Sequence, residues 1–87
     1  MNILTPTVLR WRCRRGMLEL DLFLMPFVDN AFKDLSTDLQ QAFVDLLNCT
    51  DPELYAWLTE RDTPPRADFN TLCELIRQHA KTHSPSL

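Results

Sequence analysis

Few side chains among these 87 residues are equipped for chemistry, and their spacing narrows what they can do. Cys13, Cys49 and Cys73 are odd in number and far apart. No CxxC pair occurs, so neither a zinc site nor a thioredoxin-like pair is supported. The plain reading is three reduced thiols packed as small hydrophobes. His79 and His83 stand four apart and could share a metal on one helix face, but no third ligand stands beside them, and two solvated tail histidines is the simpler reading. A Cys–His nucleophile pair would meet only in space, and these residues give it little support. Gly16, in the stretch RCRRGMLELD of residues 12–21, is the single glycine of the chain. Loops that cradle phosphates need several glycines, because backbone must approach the phosphate oxygens closely. A P-loop and a dinucleotide fingerprint are both excluded.

The remaining chemistry is charge. Arg10, Arg12, Arg14 and Arg15 give residues 1–16 a charge of +4, while residues 17–87 carry −7. An acidic body with a basic start points to a bipolar protein-contact surface. A nucleic-acid binder usually carries a basic balance over the whole domain, so the arginine run beside Trp11 reads first as the solvated face of a short helix. Were that helix to run on unbroken, Arg15 and Glu19 would form a surface pair contributing roughly 0.3–0.5 kcal/mol. LFLMPFV is far too short to span a bilayer and is flanked by Asp21 and Asp29. MNILTPTVL lacks the basic and long apolar regions of a secretory leader. The expectation is a cytoplasmic protein with no membrane insertion.

Helices must position these groups. One glycine against 45% hydrophobic residues argues against a sandwich or barrel, whose turns consume glycine. A first helix is expected over about Pro6–Arg15, with Leu4, Val8 and Trp11 on its apolar face and Gly16 as a left-handed cap. Residues 17–35 alternate apolar and acidic at first, as a strand would, yet Leu20, Phe23, Leu24, Phe27, Val28 and Phe32 fit a wide helical stripe. We read a helix bent or restarted at Pro26. The third helix starts at Ser36 or Thr37, with Gln40 placed to box Thr37, and buries Leu39, Ala42, Phe43, Leu46 and Leu47. Asp51 is expected to cap a fourth, with Pro52 at its first position and Leu54, Trp57 and Leu58 inward. TPPR is a rigid connector, and a fifth helix over about Ala67–Ala80 buries Phe69, Leu72, Cys73 and Ile76. The fold class is therefore all-α: a single domain over residues 1–87, a bundle of about five short helices. Its ordered core spans about 5–80, and residues 81–87 form a polar tail.

The stretch RWRCRRGMLELDLFLMPF carries a likeness. It resembles the succinate dehydrogenase flavin assembly factors, the SdhE family, whose signature is an RGxxE core. Here that core is Arg15-Gly16-Met17-Leu18-Glu19, with Trp11 four residues ahead of Arg15, Leu20-Asp21 behind and Met25-Pro26-Phe27 following. A second block, LLNCTDPELYAWL at 46–58, is similar to the family's LLxxxDxDLxxWL, with Glu53 for the second acid. The likeness covers roughly residues 8–80.

The resemblance implies a small five-helix assembly factor, not an enzyme. Such a factor binds the immature flavoprotein subunit of succinate dehydrogenase, and in bacteria also that of fumarate reductase, and promotes covalent attachment of FAD. The flavoprotein forms its own histidyl bond, so the factor holds no FAD stably and is expected to be a monomer when free. Carried onto this sequence, the partner-binding residues are Arg15, Gly16 and Glu19, joined by Trp11, Arg14, Met17, Asp21 and Met25. Gly16 would let partner backbone approach with no Cβ in the way, and Arg15 and Glu19 would be opposite-sign anchors beside it. Relatives have also been labelled antitoxin partners of a small membrane toxin, which is the competing expectation.

Overall fold

The computed structural model describes residues 6–13 and 15–83. Those residues form five α-helices and a single 3-10 turn: α1 (Pro6–Cys13), α2 (Leu18–Asn30), the turn Phe32–Asp34, α3 (Thr37–Leu46), α4 (Asp51–Leu58) and α5 (Ala67–His83). The all-α expectation holds. α2 and α5 pack on each other at the centre; α1 lies on α2, α3 on α5, and α4 touches both central helices.

The apolar spacing of each helix explains this arrangement. Leu20, Leu24, Phe27 and Val28 of α2 face Leu72, Cys73 and Ile76 of α5, with Phe43 and Leu46 of α3 closing the core. Aromatic rings at its heart sit in tilted contacts: Phe27 to Phe43 at 5.6 Å, Phe32 to Phe43 at 5.5 Å and Trp57 to Phe69 at 6.0 Å between centroids. α2 runs through Pro26 without restarting and ends at Asn30, short of the expected residue 35. Pro26 takes the helical donor from the carbonyl of Leu22, and Leu22 sits at a half-exposed position where water can replace it.

Helix ends depart from expectation where local hydrogen bonding decides. Ser36, not Thr37, caps α3, accepting from the backbone N–H of Leu39 at 3.2 Å, while Gln40 donates to the carbonyl of Phe32 instead of boxing Thr37. Thr50, not Asp51, caps α4: its hydroxyl accepts from the Glu53 N–H, and the Glu53 carboxylate accepts from the Thr50 N–H at 3.0 Å. Glu53, standing where the similar block has aspartate, is long enough to close this box. α5 continues to His83, three residues past the expected end, so the tail begins later than residue 81.

Among the described residues, two occupy the left-handed backbone region. Gly16 has φ +81, the left-handed conformation expected of it, and lies in the α1–α2 turn; the end of α1 at Arg14 falls outside the described residues. A left-handed cap also closes α4, where Glu60 has φ +62, and the N–H groups of Glu60 and Arg61 reach back to the carbonyls of Trp57 and Ala56.

α1 also turns a different face inward. Leu9 and Cys13 are fully buried, whereas Trp11, expected in the core, is 74% exposed. Leu4 and the side chain of Val8 lie outside the described residues. Among the described side chains of α1, Leu9 and Cys13, at i and i+4, are the ones that face the core.

Candidate functional site

The α1–α2 turn holds most of the expected contact residues, and its shape is imposed from outside it. The backbone N–H of Arg15 donates to the Asp21 carboxylate at 3.0 Å, and the N–H of Asp21 donates to the Met17 carbonyl at 3.0 Å, which closes the turn over Gly16. The Arg15 guanidinium reaches to the connection between α3 and α4. Its Nε donates to Asp51 Oδ1, Nη1 to the carbonyl of Leu47 at 2.8 Å and Nη2 to the carbonyl of Cys49 at 2.5 Å. Arg12 joins it, donating from Nη2 to Asn48 Oδ1 at 2.5 Å. Leu47 ends α3, and carbonyls at a helix C-terminus carry partial negative charge. A cation is at home there, and Asp51 adds a full negative charge.

Arg15 is therefore paired with Asp51 and not with Glu19, as an unbroken helix would have had it. The chain breaks at Gly16, so Arg15 precedes α2 while Glu19 lies in its first turn, exposed and near the positive end of the helix dipole.

Around the turn, Trp11, Gly16 and Glu19 are exposed, whereas Met17, Asp21 and Met25 are half-buried, the two methionines packing against the core. Arg14 lies outside the described residues. A Cβ built on Gly16 would meet no atom within 4 Å, so the space over the turn is open. Two further residues belong here: Leu18 and Leu22 are 67% and 49% exposed, and with Trp11 they are the large hydrophobic side chains that face water among the described residues. Large apolar groups left outside a small core mark interaction surfaces. Their signal was legible, since residues 18 and 22 fall at i and i+4, off the Leu20–Leu24–Phe27 stripe. Asp51 was missed as a site-shaping residue because its partner is 36 positions away.

The reactive groups do not converge on this surface. Cys13 is fully buried, and burial pushes its thiol up to about 12 against the opposing pull of Arg15 and Arg12. Burial raises Cys73 to about 11 and also raises the half-buried Cys49. Thiols held protonated are poor nucleophiles. Among the described residues, no three His, Cys, Asp or Glu side chains are grouped to hold a metal ion. His79, expected as a solvated tail residue, is buried, with its ring edge-on to Phe27 at 5.8 Å; the side chain of His83 lies outside the described residues. α5 does not fray at Ala80 but runs on to His83, and His79 stays packed against Phe27 within it. Among the described residues, no helix is long and apolar enough to cross a membrane. The turn thus presents to solvent exposed apolar side chains, one exposed carboxylate and an open glycine, above a network of hydrogen bonds to the α3–α4 connection.

Comparison with known proteins bears on what such a surface serves. Residues 8–80 match a family described as the flavinator of succinate dehydrogenase. A protein of Shewanella oneidensis is 41% identical over 80 residues, spanning 92% of this chain and 98% of its own length. One from Aliivibrio fischeri is 56% identical over 70 residues, covering 80% and 81% of the two chains. One from Yersinia pseudotuberculosis is 38% identical over 85 residues, covering 98% and 97%. All three bear the name FAD assembly factor SdhE.

Proposed function

This chain belongs to the flavinator of succinate dehydrogenase family, and on that premise we propose that it is an FAD assembly factor for the flavoprotein subunit of succinate dehydrogenase. It works in the cytoplasm as a non-enzymatic helper. It docks on the immature subunit and holds it while the subunit's own histidine bonds to the flavin. Forming that bond requires the histidine and flavin in near-attack geometry, and a factor that immobilises a mobile region of the subunit contributes by positioning alone. Such a factor needs neither nucleophile nor bound cofactor, and FAD ends on the partner. Fumarate reductase, whose flavoprotein carries the same linkage, is a second client.

The observation that carries this reading is the exposure of Trp11, Leu18 and Leu22 on the two helices that meet at the Gly16 turn. Burying a tryptophan and two leucines at one interface gives it the apolar anchors that dominate protein–protein contacts. Glu19, between the two leucines, adds a charge that orients the partner, and the open space over Gly16 admits partner backbone. Met17 and Met25 supply adaptable apolar contact at the margin.

The test is co-expression with the flavoprotein subunit in cells lacking their own factor, reading covalent flavin as fluorescence of the subunit on a denaturing gel. The chain should restore the signal, and Glu19→Ala should lower it with helicity unchanged. Recovery of a small membrane protein as the main bound partner, with no effect on covalent flavin, would overturn the proposal.

A further inference from the structure

The docking surface is a turn, and a turn holding a single left-handed residue needs a support that keeps it in one shape. Asp51 has no capping role, because Thr50 caps α4; instead its carboxylate meets Arg15. We propose that Asp51, with the carbonyls of Leu47 and Cys49, is the template that sets the Arg15–Gly16–Met17 turn. Arg15 is then a positioning residue, acting on the partner through the turn that it anchors. This inference rests on the reading of the turn as the docking surface.

The guanidinium carries five donors in a rigid plane, and here three of its nitrogens are engaged by three acceptors on one connection. The Arg15 side chain is 15% exposed and its engaged N–H groups are turned to this connection, so it offers a partner little surface. The Asp21 carboxylate holds the Arg15 N–H at the same time, and Arg12 holds Asn48 beside it. Backbone and side chain of Arg15 are thus fixed from opposite directions, leaving Gly16 and Glu19 exposed at the outer surface. The second sequence block, residues 46–58, thereby acquires a role in the site, since its first residues receive the arginines of the first block. Lysine could not replace Arg15, since one ammonium cannot address three separated acceptors in a plane.

The experiment measures affinity of the whole chain for the purified flavoprotein subunit of succinate dehydrogenase lacking covalent FAD. The variants are Arg15→Ala, Asp51→Asn and the double variant, with Arg15→Lys alongside. Each single change should weaken binding by roughly tenfold, the size expected for a lost charge-assisted hydrogen bond. The double variant should be no weaker than the worse single, and Arg15→Lys should lose about as much as Arg15→Ala. Helicity should be unchanged, and amide hydrogen exchange in the free protein should quicken at residues 15–19 in Asp51→Asn but not in α5. Additive losses, or retained binding in Arg15→Lys, would show that Arg15 touches the partner and would overturn the proposal. Unchanged exchange at residues 15–19 in Asp51→Asn would also overturn it. Failure of the wild-type chain to bind the subunit would refute the docking reading alone, and the exchange measurement would still decide the template.

Discussion

Substitution of Gly16 separates backbone strain from bulk at the proposed contact surface. At φ +81 an L-residue suffers Cβ–carbonyl crowding that costs roughly 1–2 kcal/mol. No neighbour lies within 4 Å of a Cβ there, so the cost is conformational alone and does not grow with side-chain size. Alanine recovers part of it, about 0.4–1 kcal/mol, by restricting the unfolded chain. Gly16→Ala should therefore lose about 1 kcal/mol and melt about 4–8 °C lower. Gly16→Asn, better tolerated in this region, should lose less. Gly16→Arg should match alanine in stability, because nothing lies within 4 Å of its Cβ, yet fill the gap proposed to admit the partner's backbone. Melting is followed by far-UV circular dichroism and function by covalent flavin on the partner. Gly16→Ala should keep most flavinylation and Gly16→Arg should abolish it. A Gly16→Ala protein that melts with the wild type would refute the strain argument, and a Gly16→Arg protein that still raises covalent flavin would refute the contact.

Glu60→Gly should stabilise the protein by about 1 kcal/mol, visible as a rise of several degrees in Tm, because a glycine meets no Cβ penalty at the end of α4; the 4.0 Å pair with Arg77 that it removes is mostly solvated. Hydrogen bonds from Thr50 hold the Glu53 carboxyl below its usual value of 4.5. Its contribution to stability is thus complete above that value and fades as pH falls through the lowered one, so denaturant titrations of wild type and Glu53→Gln should differ at neutral pH and converge in acid. Alkylation of the native protein, read by mass spectrometry of its peptides, should label Cys49 first, with Cys13 and Cys73 reacting only on unfolding. Equal labelling of the three would refute the burial assigned to them. Phe27→Ala, which empties the contact shared by Phe43 and His79, should cost about 3–5 kcal/mol and leave little folded protein at 37 °C.

The stripes of α2, α3, α4 and α5 were legible because repetition at i, i+3 and i+4 over two or more turns leaves one possible inner face. α1, though as long as α4, was not, since Leu9 with Cys13 and Val8 with Trp11 mark two different helical faces and either could have led inward. Caps were half legible. Ser36 and Thr37 both carry a suitable hydroxyl, as Thr50 and Asp51 both offer an oxygen, and only backbone geometry chose between neighbours. The turn around Gly16 could be located from its composition. Arg15 and Glu19, however, were read as a local pair, because spacing shows only what lies near in sequence.

What the sequence by itself determined is the helical class, the inward faces of α2 to α5 and the place where the chain must turn, since each follows from local sterics or from the periodicity of apolar residues. Only the tertiary structure decided that Trp11 faces water, that His79 is buried and that Arg15 crosses to Asp51, 36 residues away. Those outcomes depend on which helix packs against which, and packing is settled by the joint burial of all five helices rather than by any one segment.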